Sequence, residues 1–273
     1  MSASERTTHY ALGSTDAEHE RLIWQAEQVA PLTERLFREA GIGPGQRVLD
    51  LGSGVGDVTM LAARLVGASG EVVGIERDPD AIARARARAA QAGLHNVSFI
   101  ESDLSQIPDA KPFDVAVGRF ILMWLPDPVS IVRSVSQLVR PGGVVAFQEP
   151  YWVPVLSLLA PLPLWSAAAS LIHRTFQQSG ANPEIGTALY QVFQEAGLPG
   201  PTMRQEIPMG RDPNSARWFS DTLRSLRSQI QRLGLSLESV GDLDTLAKRL
   251  QNEAGASNGV VAWMAPVGAW VRK

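Results

Sequence analysis

A glycine-rich turn that follows a short apolar stretch is the feature that most restricts the fold of this chain. Residues 48–57 read VLDLGSGVGD, so an apolar strand runs directly into a turn that carries Gly52, Gly54 and Gly56. Because glycine has no side chain, the backbone amides of such a turn can approach a ligand closely. The acidic Asp50 would repel a pyrophosphate, and the G-x-G-x-G spacing differs from the G-x-G-x-x-G of dinucleotide sites. The turn therefore predicts a ligand with a cationic group.

Strands and helices alternate along the first half of the chain. Apolar runs typical of buried strands lie at residues 47–51, 71–75, 97–100, 113–117 and 143–148. Helical patterns lie at residues 58–66, 79–92 and 127–139. Strands that alternate with helices at this spacing are typical of parallel βαβ units, and near-continuous apolar runs suit a sheet covered on both faces. The predicted fold is α/β, with a doubly wound, Rossmann-like sheet.

The pattern changes after Pro150. Residues 151–172 carry no formal charge, and a run of this length would span a bilayer. However, Pro154, Pro161 and Pro163 each disturb a helix at a depth where unpaired backbone groups are costly. We therefore predict an apolar segment that packs on the domain or lines a pocket, and no membrane association.

The two ends of the chain add further elements. A helical pattern precedes the glycine turn at residues 13–40, with Pro31 expected to break or kink it. In the C-terminal half, helical patterns at residues 185–196 and 213–255 lie on either side of a strand pattern at residues 203–207, and residues 259–271 alternate as a strand does.

Charged side chains follow the predicted strands, at the edge where open α/β sheets bind ligands. Glu76 stands 24 residues after Gly52, where nucleotide-binding α/β folds place an acid that accepts hydrogen bonds from both ribose hydroxyls. After the third strand, Asp103 is a candidate acceptor for an exocyclic adenine amine, and Leu104 would pack on the ring. Arg119, after the fourth strand, would either hold a ligand carboxylate or pair with a surface acid.

The charge balance argues against polyanionic partners. With 25 Lys and Arg against 28 Asp and Glu, the net charge is −3, so we expect no nucleic-acid binding. The chain has no cysteine, which excludes disulfides and thiolate metal sites and fits a cytoplasmic location. No secretory signal pattern is visible in the first twenty residues, and the four histidines lack metal-ligand spacing, so no metal site is expected.

Five segments, taken in order, carry a set of motifs. They read VLDLGSGVGD, VVGIERDPDAI, FIESDLSQIP, FDVAVGRFILMWLPDP and LVRPGGVVAFQEP. This set resembles the class I S-adenosylmethionine-dependent methyltransferases of the small-molecule branch, strongly over residues 41–150 and loosely over residues 186–273. The resemblance implies a seven-stranded sheet of order 3-2-1-4-5-7-6 with the last strand antiparallel. Strand six would lie at residues 203–207, and residues 259–271 would supply strand seven.

The resemblance also implies a domain division and a cofactor. Residues 1–40 would form an N-terminal helical lid on a methyltransferase domain of residues 41–273, with its core at 41–150 and helical cap insertions at about 151–200 and 210–258. S-adenosylmethionine would lie with its methionine part at the glycine turn, its ribose at Glu76 and its adenine at Asp103 and Leu104. The cofactor-binding candidates are Tyr10, Asp50, Gly52, Ser53, Gly54, Glu76, Arg77, Asp103, Leu104 and Arg119.

The implied reaction is in-line displacement of the sulfonium methyl group by an oxygen, nitrogen or carbon of a small, hydrophobic or aromatic metabolite. The main task of the protein is to hold donor and acceptor about 3 to 3.5 Å apart and to exclude water. His173, Glu149 and Tyr151 are the candidate catalytic bases for an acidic acceptor, and His9 and His19 would approach through the lid. If proximity alone suffices, no base is needed.

Other functions on the same fold remain open. In one alternative, the chain binds the cofactor but catalyses a non-methylating cyclisation or rearrangement. In another, it only senses the cofactor. An NAD(P)-dependent oxidoreductase is disfavoured by Asp50 and by the glycine spacing. In each enzymatic case the partner is a small-molecule substrate, and the chain is expected to be a monomer or homodimer.

Overall fold

Seven strands form one sheet in the computed structural model, which describes residues 15–108 and 111–273. In chain order the strands of the protein are β1 (Arg47–Leu51), β2 (Glu71–Glu76), β3 (Val97–Glu101), β4 (Phe113–Arg119), β5 (Val139–Pro150), β6 (Thr202–Gln205), β7 (Met209–Gly210), β8 (Val261–Ala262) and β9 (Pro266–Arg272). The sheet order is β3-β2-β1-β4-β5-β9-β6, and the two-residue strands β7 and β8 pair with each other outside it.

Ten α-helices accompany the strands in the described ranges. They are α1 (Asp16–Glu39), α2 (Asp57–Val66), α3 (Pro79–Gln91), α4 (Pro128–Leu138), α5 (Val153–Leu159), α6 (Pro163–Gln178), α7 (Ile185–Glu195), α8 (Pro213–Ser225), α9 (Arg227–Arg232) and α10 (Leu243–Ala256). A turn of 3₁₀ helix, Leu122–Trp124, follows β4.

The predicted sheet topology is confirmed. Strands β1 to β5 pair in parallel, and β9 runs antiparallel between β5 and β6. The expected seventh strand is therefore β9, and the expected sixth strand is β6. Because β1 to β5 are parallel, their carboxyl ends meet at one edge of the sheet, and the segments that follow them lie side by side.

Both faces of the sheet are covered, as a doubly wound fold requires. Successive residues of a strand point to opposite faces, so neighbouring residues enter different cores. Val48 and Val115 lie in the core that Phe37 of α1 and α2 complete. Leu49 lies in the other core, where the rings of Phe147 and Phe193 meet edge to face at 6.1 Å.

We use the name cap for the helices α5, α6, α8, α9 and α10, which pack together beside the carboxyl edge of the sheet. The rings of Trp165 in α6 and Phe219 in α8 lie 5.2 Å apart, and the Trp165 indole N–H donates a 2.9 Å hydrogen bond to the Leu250 carbonyl in α10. The apolar run at residues 151–172 forms α5 and the first part of α6. Within the described ranges, no helix has the length and apolar character needed to cross a bilayer.

Helix α1 starts and continues for identifiable reasons. Thr15 caps it by accepting a 3.2 Å hydrogen bond from the Glu18 N–H. The helix runs on through Pro31, so the expected break at this residue is not observed. Leu36 and Phe37 continue the buried face beyond Pro31, and their burial in the core offsets the hydrogen bond that proline cannot donate.

Candidate active site

A cavity of about 800 Å³ lies at the carboxyl edge of the sheet. At one end its described lining includes residues 52–55 of the glycine turn, Glu76 and Asp103. At the other end it includes Trp218 and Trp263. We call these the cofactor end and the cap end. The volume falls in the range of small-molecule binding sites.

The glycine turn is held by the strands on either side of it. The Ser53 N–H donates a 2.9 Å hydrogen bond to the Ile75 carbonyl in β2. Gly52 has φ +63°, and a Cβ there would lie 2.5 Å from Cδ1 of Ile121, so only glycine fits. Beside Gly54, where a side chain would stand, no atom lies within 4 Å. The turn therefore exposes backbone to open space in the cavity.

Asp50 is buried beneath the turn. The hydroxyl of Thr59 in α2 donates a 2.6 Å hydrogen bond to its Oδ2. Burial raises the pKa of Asp50 to about 7, although the Thr59 hydrogen bond and the Arg119 guanidinium act to lower it. Asp50 is absent from the described lining of the cavity, so the structure places this candidate behind the turn.

Glu76 ends β2 with its carboxylate beside the glycine turn. Its Oε2 accepts a 2.9 Å hydrogen bond from the Gly54 N–H. Its Oε1 accepts hydrogen bonds from the N–H groups of Arg77 and Asp78 at 2.8 and 3.0 Å. A carboxylate offers about four lone-pair positions. The three backbone donors thus orient Glu76 and leave it able to accept a hydroxyl of a ligand.

Asp103 and Leu104 follow β3 and line the same end of the cavity, as does Arg77. Oδ1 of Asp103 accepts a 2.8 Å hydrogen bond from the Ser105 N–H. Hydrogen bonding to Ser105 lowers the pKa of Asp103, so this carboxylate is charged at neutral pH. The structure therefore brings Asp103, Leu104 and Arg77 together with Glu76, as the sequence predicts.

Arg119, at the end of β4, lines the middle of the cavity. Its Nη1 donates a 3.1 Å hydrogen bond to the hydroxyl of Thr33 in α1. Burial lowers the pKa of Arg119, while the carboxylates of Asp57 and Asp50 act to raise it. Since arginine is not deprotonated in proteins, Arg119 places a positive charge between these carboxylates. Arg119 is half-buried in the cavity wall, and none of the described ion pairs includes it.

The residue after Arg119 has an unusual backbone. Phe120 has φ +55°, which is uncommon for a residue other than glycine. Its N–H donates a 2.9 Å hydrogen bond to the Gln148 carbonyl in β5. This sharp turn brings Ile121 against Gly52 and starts the 3₁₀ turn at Leu122.

Glu149 lies outside the cavity. It is fully buried at the end of β5, and its carboxylate accepts hydrogen bonds from the N–H groups of Ile121, Leu122 and Met123 at 3.0, 2.9 and 3.3 Å. Burial raises the pKa of Glu149 to about 8, although these three hydrogen bonds act to lower it. The carboxylate thus anchors the 3₁₀ turn and does not contact the space where an acceptor would lie.

His173 and Tyr151, the other candidate bases, are placed differently. Nε2 of His173 lies 2.7 Å from Oε1 of Glu184, and Oε2 of Glu184 accepts a 3.2 Å hydrogen bond from the Trp152 N–H. His173 is absent from the described lining, and its ring lies 6.1 Å from that of Trp152, which does line the cavity. Tyr151 lines the cavity directly. Of the three candidates, the structure brings Tyr151 to the acceptor space.

Aromatic rings form much of the cap end. The rings of Trp152 and Trp218 lie 5.9 Å apart, and those of Trp218 and Trp263 lie 5.5 Å apart. Phe176 meets the rings of Trp124 and Trp152 edge to face at 5.4 and 6.1 Å. All five residues line the cavity, so the cap end is largely aromatic.

Helix α1 contributes polar side chains to the wall. Arg21 donates hydrogen bonds to both carboxylate oxygens of Glu18 at 2.7 and 2.6 Å, and to Oε1 of Gln25 at 2.8 Å. The indole N–H of Trp218 donates a 2.7 Å hydrogen bond to the same Gln25 oxygen. His19 lines the cavity and is buried, whereas Tyr10 and His9 lie outside the described residues.

Sequence reasoning missed a buried ion pair of α1 and two further polar residues of the wall, Gln25 and Thr222. Glu18 and Arg21 are buried as an ion pair, and the spacing of three residues on a helix is the signal that would have paired them. Thr222 lines the cavity from α8. It stands four residues after Trp218 and so lies on the same helix face, but nothing in the sequence shows that this face meets a cavity.

Comparison with known proteins decides the family. A sequence model described as a methyltransferase domain matches residues 42–197, which is more than half of the chain. The chain belongs to the class I S-adenosylmethionine-dependent methyltransferases. The predicted family and its cofactor, S-adenosylmethionine, are therefore confirmed.

Two curated relatives match part of this methyltransferase. It is 31% identical over 140 residues to an arsenite methyltransferase of Halobacterium salinarum, a match that covers 48% of this chain and 36% of the relative. It is 32% identical over 151 residues to the aklanonic acid methyltransferase DauC of a Streptomyces species, a match that covers 55% of this chain and 67% of the relative. The chain thus spans about a third of the first relative and two thirds of the second.

The fold of the methyltransferase is also seen in solved structures. The crystal structure of the (4+2)-cyclase SpnF superposes with a TM-score of 0.55 at 19% identity, covering 89% of this chain and 81% of the cyclase. At this identity the likeness supports the Rossmann-like fold.

The residues of the cofactor end fit S-adenosylmethionine better than a diphosphate. Five carboxylates and three guanidinium groups stand in the described lining, so its balance favours a cationic ligand. The Ser53 hydroxyl is buried in the turn, towards Gly74 of β2, and has no hydrogen-bond partner. Among the described residues, no group of three His, Asp or Glu side chains is placed to hold a metal ion.

Proposed function

We propose that this protein transfers a methyl group from S-adenosylmethionine to a small, hydrophobic or aromatic metabolite. The observation that carries the proposal is the continuous cavity of about 800 Å³, which joins the glycine turn and Glu76 to the aromatic rings of the cap. Donor and acceptor sites that share one enclosed space satisfy the requirement of a direct transfer, because the reacting atoms must come within about 3 to 3.5 Å.

The cofactor end would hold the donor. Glu76 would accept a ribose hydroxyl, Asp103 and Leu104 would contact the adenine, and Arg119 would lie near the carboxylate of the methionine part. Asp50 acts from behind the turn, where it supports α2 through Thr59. The residues we propose for cofactor binding are Asp50, Gly52, Ser53, Gly54, Glu76, Arg77, Asp103, Leu104 and Arg119, with Tyr10 as a further candidate outside the described residues.

When bound, S-adenosylmethionine supplies a methyl group on a sulfonium ion that a lone pair can displace in line. The task of the chain is then to exclude water and to orient the acceptor, which the indole rings of Trp152, Trp218 and Trp263 do by enclosing it. Tyr151 lines this space and is the candidate of our three that can contact an acceptor hydroxyl, whose proton its phenolate form would take up. His173 and Glu149 would act through Trp152 and the 3₁₀ turn.

The relatives support a small acceptor. The names of two of them specify arsenite and aklanonic acid, which are small molecules. The aromatic wall favours an organic acceptor over arsenite, because indole rings offer extensive apolar contact. The chain has no cysteine, so it has no thiolate, the soft ligand that would bind arsenic.

We further infer how the chain is divided into a lid, a catalytic domain and cap insertions around the site. Helix α1 lines the cavity with His19, Leu22 and Gln25, so residues 1–40 would act as a lid on a methyltransferase domain of residues 41–273. Residues 151–200 and 210–258 would be the cap insertions. The absence of cysteine and the net charge of −3 support a cytoplasmic monomer or homodimer without nucleic-acid partners.

Calorimetry with S-adenosylmethionine and S-adenosylhomocysteine tests the proposal. We expect saturable binding of both, and the absence of binding would overturn it. A candidate acceptor that is consumed with equimolar formation of S-adenosylhomocysteine establishes methyl transfer. Consumption without S-adenosylhomocysteine would establish the second candidate, a cyclisation or rearrangement, which the shared fold of a (4+2)-cyclase makes worth testing.

A further inference from the structure

A buried hydroxyl joins α1 to the sheet beside the cofactor end. Thr33 of α1 is fully buried, and its Oγ1 donates a 2.7 Å hydrogen bond to Oε1 of Gln148 in β5. The carbonyl of Val29, in the same helix, lies farther away at 3.4 Å. A hydroxyl has one hydrogen and two lone pairs, so with its hydrogen directed at Gln148 the Thr33 oxygen can still accept. Nη1 of Arg119 in β4 donates to it at 3.1 Å.

The strand register brings the two partners of this hydroxyl together. Arg119 and Gln148 are direct neighbours in the parallel pairing of β4 and β5, so their side chains leave the same face of the sheet. Two positions earlier in these strands, Val117 and Ala146 lie in the core that α1 completes. The face that carries Arg119 and Gln148 is therefore the face on which α1 packs.

Arg119 keeps most of its hydrogen-bonding capacity for a ligand. A guanidinium group carries five N–H donors, and within the described residues Thr33 is its one hydrogen-bond partner. The nearby Asp57 is paired with Arg88 at 2.7 Å. Arg119 is half-buried and lines the cavity, and burial lowers its pKa, so its accessible surface faces the cavity and not bulk water. A cation in this position is costly without an anion, which a ligand would supply.

Arg119 and Glu76 stand on opposite sides of the glycine turn. In the sheet register, Leu51 pairs with residues of β2 and β4 that directly precede Glu76 and Arg119, so these two residues flank Gly52. Neighbouring strands lie about 4.8 Å apart, so the backbones of Glu76 and Arg119 are about 10 Å apart across the turn. A ligand with its ribose at Glu76 would cross the turn and bring an anionic end to Arg119.

We propose that Thr33 is a positioning residue for the cofactor: it holds the Arg119 guanidinium so that the remaining N–H groups bind the carboxylate of the methionine part of S-adenosylmethionine. Thr33 is absent from the described lining of the cavity, so it acts through Arg119. Because Thr33 belongs to α1, the same contact couples the seating of this helix to recognition of the amino-acid end of the cofactor. This inference rests on the proposed function, since it assigns how that site holds one part of its cofactor.

Two ligands separate recognition of the carboxylate from binding of the nucleoside. S-adenosylhomocysteine carries the amino-acid end, whereas 5′-methylthioadenosine has the same nucleoside and a thioether without it. Calorimetry measures the affinity of each. In Thr33→Val, which keeps the shape but removes the hydroxyl, S-adenosylhomocysteine should bind about threefold to tenfold more weakly, because the ligand must then order one long side chain. The affinity for 5′-methylthioadenosine should stay the same, and Thr33→Ser, which keeps the hydroxyl, should restore that for S-adenosylhomocysteine.

A matched variant separates this role from a structural one. Thr175 of α6 is also fully buried and donates a 2.7 Å hydrogen bond to the Leu171 carbonyl, and it is absent from the described lining. Thr175→Val should lower the melting temperature and leave the affinities for both ligands unchanged. Thr33→Ala removes the same hydroxyl as Thr33→Val and should show the same selective loss, which provides a second measurement if the valine variant folds poorly.

A double-mutant cycle tests whether Thr33 acts through Arg119. Arg119→Met removes the guanidinium, so adding Thr33→Val to it should weaken S-adenosylhomocysteine binding no further. A further loss in the double variant would overturn the proposal.

Two results in the single variants would also overturn it. One is an unchanged affinity for S-adenosylhomocysteine in Thr33→Val, and the other is an equal loss of affinity for both ligands. Each leaves the proposed function in place, because the unaltered protein still binds S-adenosylhomocysteine. Failure of the unaltered protein to bind either ligand is the separate result that removes the proposed function.

Discussion

The two ends of the cavity are built in different ways. At the cofactor end, Glu76 is the last residue of its strand and Gly52 and Asp103 stand within two residues of the ends of theirs, so the register of the sheet sets their spacing. At the cap end, Trp152 is the N-cap residue of α5 and Trp218 lies in α8. The packing of these helices brings the two rings together. A ligand site made of strand ends is fixed by the fold, whereas a site made of helix side chains can change with sequence while the sheet stays the same.

The largest effect we expect is at the cofactor end. Glu76→Ala should weaken S-adenosylhomocysteine binding by about 10-fold to 100-fold, since the carboxylate has about one lone-pair position left for a ribose hydroxyl and a hydrogen bond to a charged group contributes about 1.5–3 kcal/mol. Calorimetry measures this. Glu71→Ala is the matched control, because Glu71 begins the same strand, is exposed and pairs with Arg47. Equal affinities for the two variants would show that the cofactor end is not where we place it.

The second effect is a pH dependence of stability that arises from Glu149, the carboxylate that anchors the 3₁₀ turn after β4. The pKa of Glu149 is raised from 4.5 to about 8, so the folded protein binds a proton that the unfolded chain releases. The free energy of unfolding should therefore fall as pH rises between about 4.5 and 8, by about 1.4 kcal/mol per pH unit. The pKa of Asp50 is raised from 3.8 to about 7, so its titration also lowers the free energy of unfolding as pH rises to about 7.

Glu149→Gln isolates the contribution of Glu149. The amide oxygen can still accept hydrogen bonds from the 3₁₀ turn but does not titrate, so the fall between pH 7 and 8 should disappear. Denaturant unfolding at a series of pH values measures the slope, with Glu71→Gln as the exposed control. A slope unchanged by Glu149→Gln would mean that the carboxylate is ionised when buried.

A smaller effect is expected at the cap end. Trp218→Phe removes the hydrogen bond to Gln25 and part of the aromatic wall, so binding of 2-naphthol, a small aromatic probe of the cap end, should weaken about threefold to tenfold, while S-adenosylhomocysteine affinity stays the same. The control is Trp270→Phe, because Trp270 packs in the core on the opposite face of the sheet. If both ligands weakened together, the two ends would not be independent.

The smallest effect on stability is expected at the contact between α1 and α3. Arg84 of α3 pairs with Glu20 and with Asp16 of α1, and both acidic side chains are largely exposed. Arg84→Ala should lower the free energy of unfolding by less than about 1 kcal/mol. If α1 is a lid, the same variant should release S-adenosylhomocysteine a few times faster in stopped-flow measurements. Arg232→Ala, an exposed change in α9, should leave the release rate as it is.

The sheet and the cofactor end could be predicted from sequence because their signals are local. A strand followed by a turn places Gly52 and Glu76 at the sheet edge wherever the strands are parallel, and the observed order confirms this. Arg77, Asp103 and Leu104 line the cavity for the same reason.

The cap could be predicted only in outline. The direction of His173 depends on its contact with Glu184, and that of Glu149 on the three N–H groups of the turn after β4. The first contact joins residues 11 positions apart in different helical segments, and the second joins residues 26 to 28 positions apart, so neither follows from a local pattern. The sequence shows neither, nor the unpaired hydroxyl of Thr222, because a hydroxyl's partner is a property of packing and not of helix periodicity.

Helix α1 contacts Trp218 of the cap end through Gln25, and near its first turn it contacts Arg84 of α3, the helix that follows the Glu76 strand. Spent cofactor and methylated product would therefore leave past the same helix, and neither could exchange without disturbing contacts made to the other. We expect catalytic turnover to be paced by the opening of α1, so that raising solvent viscosity slows the steady-state rate even when the chemical step is fast.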